Sequence, residues 1–230
     1  MKKYAFTLAE VLITLGIIGV VAALTMPSLI AKHKEKETVV KVKKVYSVFS
    51  NAYLLAANED GTPDNWGLTG LDQGAAAQVV LDKFAPYLKL QKNCGRYIRG
   101  CFPDVIYKYL NGSNFYNSNF NTSPTYAKAI MADGIIFRLA GDGACNTANT
   151  LCAVLMVDTN GFKPPNQFGK DFFIFHVRTN GIAPINTPDQ DPNLADCKNS
   201  GVCTAWIIIN ENMDYLHCKD LSWSGKTKCK

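Results

Sequence analysis

Hydrophobic and polar positions divide the chain into three regimes. From Val11 to Ala31 no residue carries a charge, which matches the roughly 20 residues an α-helix needs to cross a bilayer core. Beyond Pro27 the pattern becomes amphipathic: Val42, Val45, Tyr46, Phe49, Ala52, Tyr53 and Ala56 recur at three- and four-residue steps, while Lys41, Lys43 and Lys44 fall on other faces. The helix is therefore expected to continue over residues 32–57, its apolar face packing on a sheet. Asn58 to Pro63 supplies stop and turn chemistry, and a shorter helix is expected from about Asp72 to Phe84, ending near Pro86.

The third regime reads as strands and long loops. Ala129–Ala132 and Ile135–Leu139 flank Asp133-Gly134, a strong short-range hairpin signal. Further strands are expected at Ala153–Val157, Phe172–Val177 and Ala205–Ile209, all rich in β-branched or aromatic residues. The expected class is α+β: a long N-terminal α-helix, membrane-spanning in its first half, packed on a C-terminal antiparallel sheet with disulfide-bonded loops.

One carboxylate, Glu10, stands at the head of the apolar run. Ionisable groups at membrane depth cost about 2.5 kcal/mol or more, so a functional role with a partner is the default reading. The string Ala5-Phe6-Thr7-Leu8-Ala9-Glu10 resembles the N-terminal processing and methylation signal of type IV pilins and type II secretion pseudopilins. The resemblance implies that prepilin peptidase removes a basic leader, residues 1–5, before Phe6, that the new amine is methylated, and that Glu10 is the acidic residue used in assembly. It extends through Gly16 and Gly19 to Pro27, where the long helix of that family commonly bends or loosens in the filament. Ala5 departs from the usual Gly before the cut, but it is also small. The strong match covers the first thirty residues, with looser similarity in runs such as Val157–Gly161 and Ala205-Trp206.

Elementary electrostatics supports the same picture. A cut after Ala5 exposes a cationic amine at Phe6, and the helix N-terminus adds partial positive charge. In low-dielectric surroundings an unpaired charge is expensive and a matched pair tolerable, so the amine of an incoming subunit would meet Glu10 of a neighbour. Two plainer readings compete. A secretory signal peptide would use Lys2, Lys3 and a cut near Val21–Leu24, but its core is usually shorter, roughly 7–15 residues, and Glu10 interrupts it. An ordinary single-pass anchor leaves Glu10 without a role.

Composition narrows the rest. The net charge is +5, falling to +3 if Lys2 and Lys3 leave with a leader, too weak to argue for a specific nucleic-acid partner. The length allows one ordinary domain, residues 58–230, beyond the helix. Eight cysteines, all from residue 94 onward, suit an oxidising exterior. Spacing suggests Cys94 with Cys101, Cys145 with Cys152, Cys197 with Cys203 and Cys218 with Cys229, among 105 connectivities. Zinc is the alternative, but no Cys-x-x-Cys pair is present. Positive-inside reasoning is awkward, because Lys32, Lys34, Lys36, Lys41, Lys43 and Lys44 lie on the exported side in this arrangement; long domains translocate largely regardless of such charge.

Three further features bear on function. Residues 111–126, with Phe115, Tyr116, Phe120 and Tyr126 among Asn, Ser and Thr, read as a packed loop or an adhesive surface. Asp158, Asn160 and Asp171 offer oxygens around a tight turn, a candidate calcium site of the kind secretion pseudopilins often hold, though without EF-hand spacing; the alternative is an Asn160-Gly161 turn between strands. Ser224–Thr227 imitates the end of a phosphate-binding loop, but Asp220 replaces its first Gly, and His33, His176 and His217 are scattered. No catalytic residues and no cofactor beyond that calcium are expected. The expected function is a structural subunit of a type IV pilus-like or type II secretion pseudopilus filament. Its partners are prepilin peptidase, other pilin or pseudopilin subunits, the filament assembly machinery and the inner membrane. The alternative is a membrane-anchored extracellular binding protein or adhesin that does not polymerise.

Overall fold

Helix α1 runs from Leu8 to Asp60 with Pro27 inside it, in a computed structural model that describes residues 7–116, 119–148 and 150–229. Contacts divide the chain into two compact units, Met1–Glu37 and Thr38–Lys230. In the first, the large apolar side chains from Leu8 to Ile30 stand open to the surroundings, Leu12 at 62% exposure among them, and the stretch is long and apolar enough to span a membrane. Two of its threonine hydroxyls bond back to the helix backbone. Thr14 Oγ1 donates to the carbonyls of Glu10 and Val11 (both 2.9 Å), and Thr25 Oγ1 to that of Val21 (2.9 Å), as a polar group in hydrocarbon requires.

In the second unit the predicted stripe of α1 is buried at Val42, Val45, Phe49, Ala52, Tyr53 and Ala56, while Tyr46 is half-buried and Val39, not predicted, is buried with them. Phe49 meets Phe137 edge-on at 5.0 Å and Phe84 at 6.1 Å, and Tyr46 stacks on Phe175 at 6.1 Å. These rings anchor the helix to an antiparallel sheet of six strands: β1 (Leu90–Gly95), β2 (Ala127–Met131), β3 (Ile136–Gly141), β4 (Leu151–Asp158), β5 (Phe172–Arg178) and β6 (Gly181–Pro184). Each strand pairs with the next along the chain. Helix α2 (Gln73–Phe84) begins at Asp72, whose side chain accepts the Ala75 N–H at 2.8 Å. It lies close on β3 because Gly141 has no side chain: a Cβ there would stand 2.3 Å from the Ala77 nitrogen.

The sheet alternates with the two-residue strand period. Phe137, Leu139, Leu155, Val157 and Phe175 face the main core with α1 and α2. Ile136, Ala140, Phe172 and Ile174 face a second, aromatic core with Phe102, Tyr107, Phe120 and Tyr126. Residues 111–126 thus contain packed rings, with Phe120 and Tyr126 buried, while Tyr116 is 96% exposed.

One strand prediction is corrected. Residues 205–209 lie in helix α4 (Thr204–Asn210), preceded by helix α3 (Ala195–Ser200). Trp206 and Ile207 are buried and Ile209 is 52% exposed, the distribution of a short helix with one face inward. The sheet needs no strand there: β6 ends at Pro184, and the next β5 donor, the Ile174 N–H, goes to Thr204 Oγ1 at 3.0 Å. Strands β1 and β6 were not anticipated. The cysteines form four disulfides, Cys94–Cys101, Cys145–Cys152, Cys197–Cys203 and Cys218–Cys229.

Candidate functional site

The head of α1 is built by a reciprocal hydrogen-bond pair. Thr7 donates its backbone N–H (2.8 Å) and its hydroxyl (2.7 Å) to Glu10 Oε2, and the Glu10 N–H returns a bond to Thr7 Oγ1 at 3.3 Å. Thr7 is the residue before the first helical position and Glu10 the third within it, so the two form a capping box. The Thr-x-x-Glu signal was present in the sequence, and the reading for Glu10 overlooked it. The pair occupies Oε2 alone; Oε1 makes no hydrogen bond among the described residues. A carboxylate at this position also faces the positive end of the helix dipole. Gly16 and Gly19 leave open space, with no atom within 4 Å of where a Cβ would stand, and Pro27 sits within the continuous helix. Ala5 and Phe6, the expected processing residues, lie outside the described residues.

Asp158, Asn160 and Asp171 do come together, behind the aromatic core. Asp158 Oδ2 accepts from the buried Tyr107 hydroxyl (2.7 Å) and its Oδ1 from the Asn160 N–H (3.1 Å). Asp171 Oδ2 accepts from Asn160 Nδ2 (3.0 Å) and the Asn166 N–H (2.8 Å), and its Oδ1 from the Gln167 N–H (2.6 Å). Burial raises both carboxyls, Asp171 to about 6 and Asp158 well above its ordinary value, where the charge of Asp171 adds to the effect. Burial and the Asp158 carboxylate push the Tyr107 phenol up. Every carboxylate oxygen of the pair thus already holds a donor. At this turn the amide oxygens of Asn160 and Asn166 are buried and have no partner among the described residues. A calcium ion would have to use those two oxygens and share the carboxylates with N–H and O–H groups already on them. Among the described residues no group of three or more His, Cys, Asp or Glu side chains is placed to hold a metal. This donor set does not fit a calcium cage.

Two buried cations were not singled out in the sequence. Lys128 Nζ donates to the carbonyls of Arg96 (2.9 Å), Ser123 (3.2 Å) and Asn121 (3.5 Å), gathering the loops that cover the second core. Arg138 lies 3.7 Å over the Tyr126 ring and 4.1 Å over Phe120, with Nε and Nη1 lacking hydrogen-bond partners. Burial lowers both groups, Arg138 to about 10. Only their place in hydrophobic strands marked them.

The remaining candidates are separate. His176 is half-buried beside Arg178, with 3.2 Å between His176 Nδ1 and Arg178 Nη2, and burial holds the imidazole below its ordinary range. Lys226 pairs with Asp220 at 2.7 Å.

Residues 1–26 match the family model described as the prokaryotic N-terminal methylation motif. No curated protein and no solved structure matches the chain.

Proposed function

We infer that this chain, which carries at its head the prepilin-type cleavage signal of type IV pilins and pseudopilins, works as a structural subunit of a pilus or secretion pseudopilus. Prepilin peptidase cuts before Phe6, and the mature chain waits in the inner membrane on the apolar half of α1, with the cysteine-bearing unit outside the cytoplasm. Assembly places the Phe6 amine of one subunit against Glu10 of another. The supporting observation is the arrangement of Glu10: Thr7 holds one carboxylate oxygen and leaves the other without a hydrogen bond among the described residues, just ahead of the uncharged run Val11–Ala31. An ion pair formed there gains from the low-dielectric surroundings and fixes the register of docking helices. The chain does no catalysis in this reading. Chemistry is performed on it, by the peptidase and the methylating enzyme, and no cofactor is called for.

The test is the mass and N-terminal sequence of the mature protein, expressed with and without a prepilin peptidase. A chain beginning at methylated Phe6 supports the proposal. An intact Met1, or a cut near Ala23, favours an anchored or secreted binding domain instead. Co-purification with pilus or with secretion-system components then distinguishes the two kinds of filament.

A further inference from the structure

Between residues 103–106 on one side and residues 114–116 and 119–122 on the other lies an open pocket of about 400 Å³, a volume within the range of small-molecule sites. Its floor is fixed. Asn121, buried, accepts the Gly100 N–H at 2.6 Å and donates to Asp104 Oδ1 at 2.9 Å, which ties the pocket to the loop closed by Cys94–Cys101. Lys128 holds the Asn121 and Ser123 carbonyls from below. The fold itself thus holds the lining at Asn121 and Asp104.

Its chemistry is selective. Val105 and Ile106 supply apolar wall, and Tyr116 presents an almost fully exposed ring at the edge. An aromatic ring left in water beside a formed pocket is a platform for an apolar face. The side chains of Asn119 and Thr122 line the same pocket and make no hydrogen bond among the described residues, so an amide and a hydroxyl remain for a ligand. No lysine or arginine is among the lining residues, which disfavours phosphate, sulfate or nucleic acid.

We propose that this pocket binds a neutral saccharide, whose C–H face lies on Tyr116 while its hydroxyls meet Asn119, Thr122 and the free oxygen of Asp104. A sugar is the ligand class that presents an apolar face and a ring of neutral donors and acceptors together. A purely apolar ligand would leave the amide and hydroxyl unpaired, and an anion would meet Asp104 with no cation among the described lining residues. The proposal stands whether or not the chain polymerises.

The test uses the full chain in lipid nanodiscs, which avoids glycoside detergents, titrated with glucose, galactose, N-acetylglucosamine, N-acetylgalactosamine and lactose, with sialyllactose as an anionic comparison. Saturable binding of at least one neutral sugar is expected, weakened about tenfold or more by Tyr116→Ala and by Asn119→Ala, and retained by Tyr116→Phe. Both alanine variants should melt with the parent, since neither side chain makes a hydrogen bond among the described residues. No binding of any neutral sugar at millimolar concentration, binding indifferent to both alanine substitutions, or a preference for sialyllactose would each overturn the proposal.

Discussion

Lys128 and Arg138 stand opposite each other in the β2–β3 ladder, two like charges on adjacent strands, both buried in the second core. Such a pair is ordinarily destabilising. Their heads are drawn to different partners: the ammonium to three backbone carbonyls, the guanidinium to two aromatic faces. Lys128→Met fills a similar volume but leaves those carbonyls without their donor. A loss of about 1–3 kcal/mol is expected, read from urea unfolding of the variant against the parent. A neutral outcome would show that water replaces the ammonium.

The buried pair Asp158 and Asp171 gives stability a pH dependence. Their folded pKa values are raised, so the native state holds protons that the unfolded chain releases above about pH 4. Stability from this source is fullest below the unfolded value and falls as pH rises through the folded one, by about 1.4 kcal/mol per pH unit for each extra proton held. His176, held below its ordinary range, acts in the opposite sense below about pH 6.5, so the raw profile mixes the two. Asp158→Asn isolates the acid pair: its Oδ1 still accepts the Asn160 N–H, and its amide donates to the Tyr107 oxygen. The variant should match the parent near pH 4 and become more stable than it toward neutrality. Thermal melts at intervals between these limits check the crossing.

Glu10 has two separable properties, a capping oxygen and a charge. Glu10→Gln keeps an acceptor for Thr7 and removes the charge, so it should insert in the membrane yet fail to enter filaments. Thr7→Val removes the capping hydroxyl, costs about 1 kcal/mol at the helix start, and should still assemble. Membrane fractionation and sheared-filament yield measure both. Normal assembly of Glu10→Gln would refute the charge-pairing account.

Cys218–Cys229 fastens the C-terminal segment, whose Cys229 N–H also bonds Asp214 Oδ2 at 2.6 Å. Replacing both cysteines with serine should cost about 2–3 kcal/mol, the order expected for closing a loop of this length. Non-reducing peptide maps of the parent should show four links, each between cysteines adjacent in the sequence.

The elements that could be read in advance are those whose pattern repeats. The α1 stripe from Val42 to Ala56 recurs over four turns, and Asp133-Gly134 marks its hairpin because Gly134 takes the positive φ of 83° that the turn needs. Ala205–Ile209 is five residues long, too short for either period to declare itself, and its β-branched content pointed the wrong way. Strand β1, Leu-Gln-Lys-Asn-Cys-Gly, pairs on one side only with two register shifts, so no apolar alternation announces it. Thr7 was legible through its spacing to Glu10. The pocket beside Tyr116 was not, because its walls come from two irregular segments that only the covering loops of the second core bring together.

In this domain each strand pairs with the strand that follows it, and each disulfide joins two cysteines that are consecutive in the sequence. For a polypeptide delivered across a membrane from its anchored end, order of emergence then coincides with order of bonding. A thiol oxidase that joins sulfurs as they arrive would produce the native set directly, and the domain would mature without depending on a disulfide isomerase.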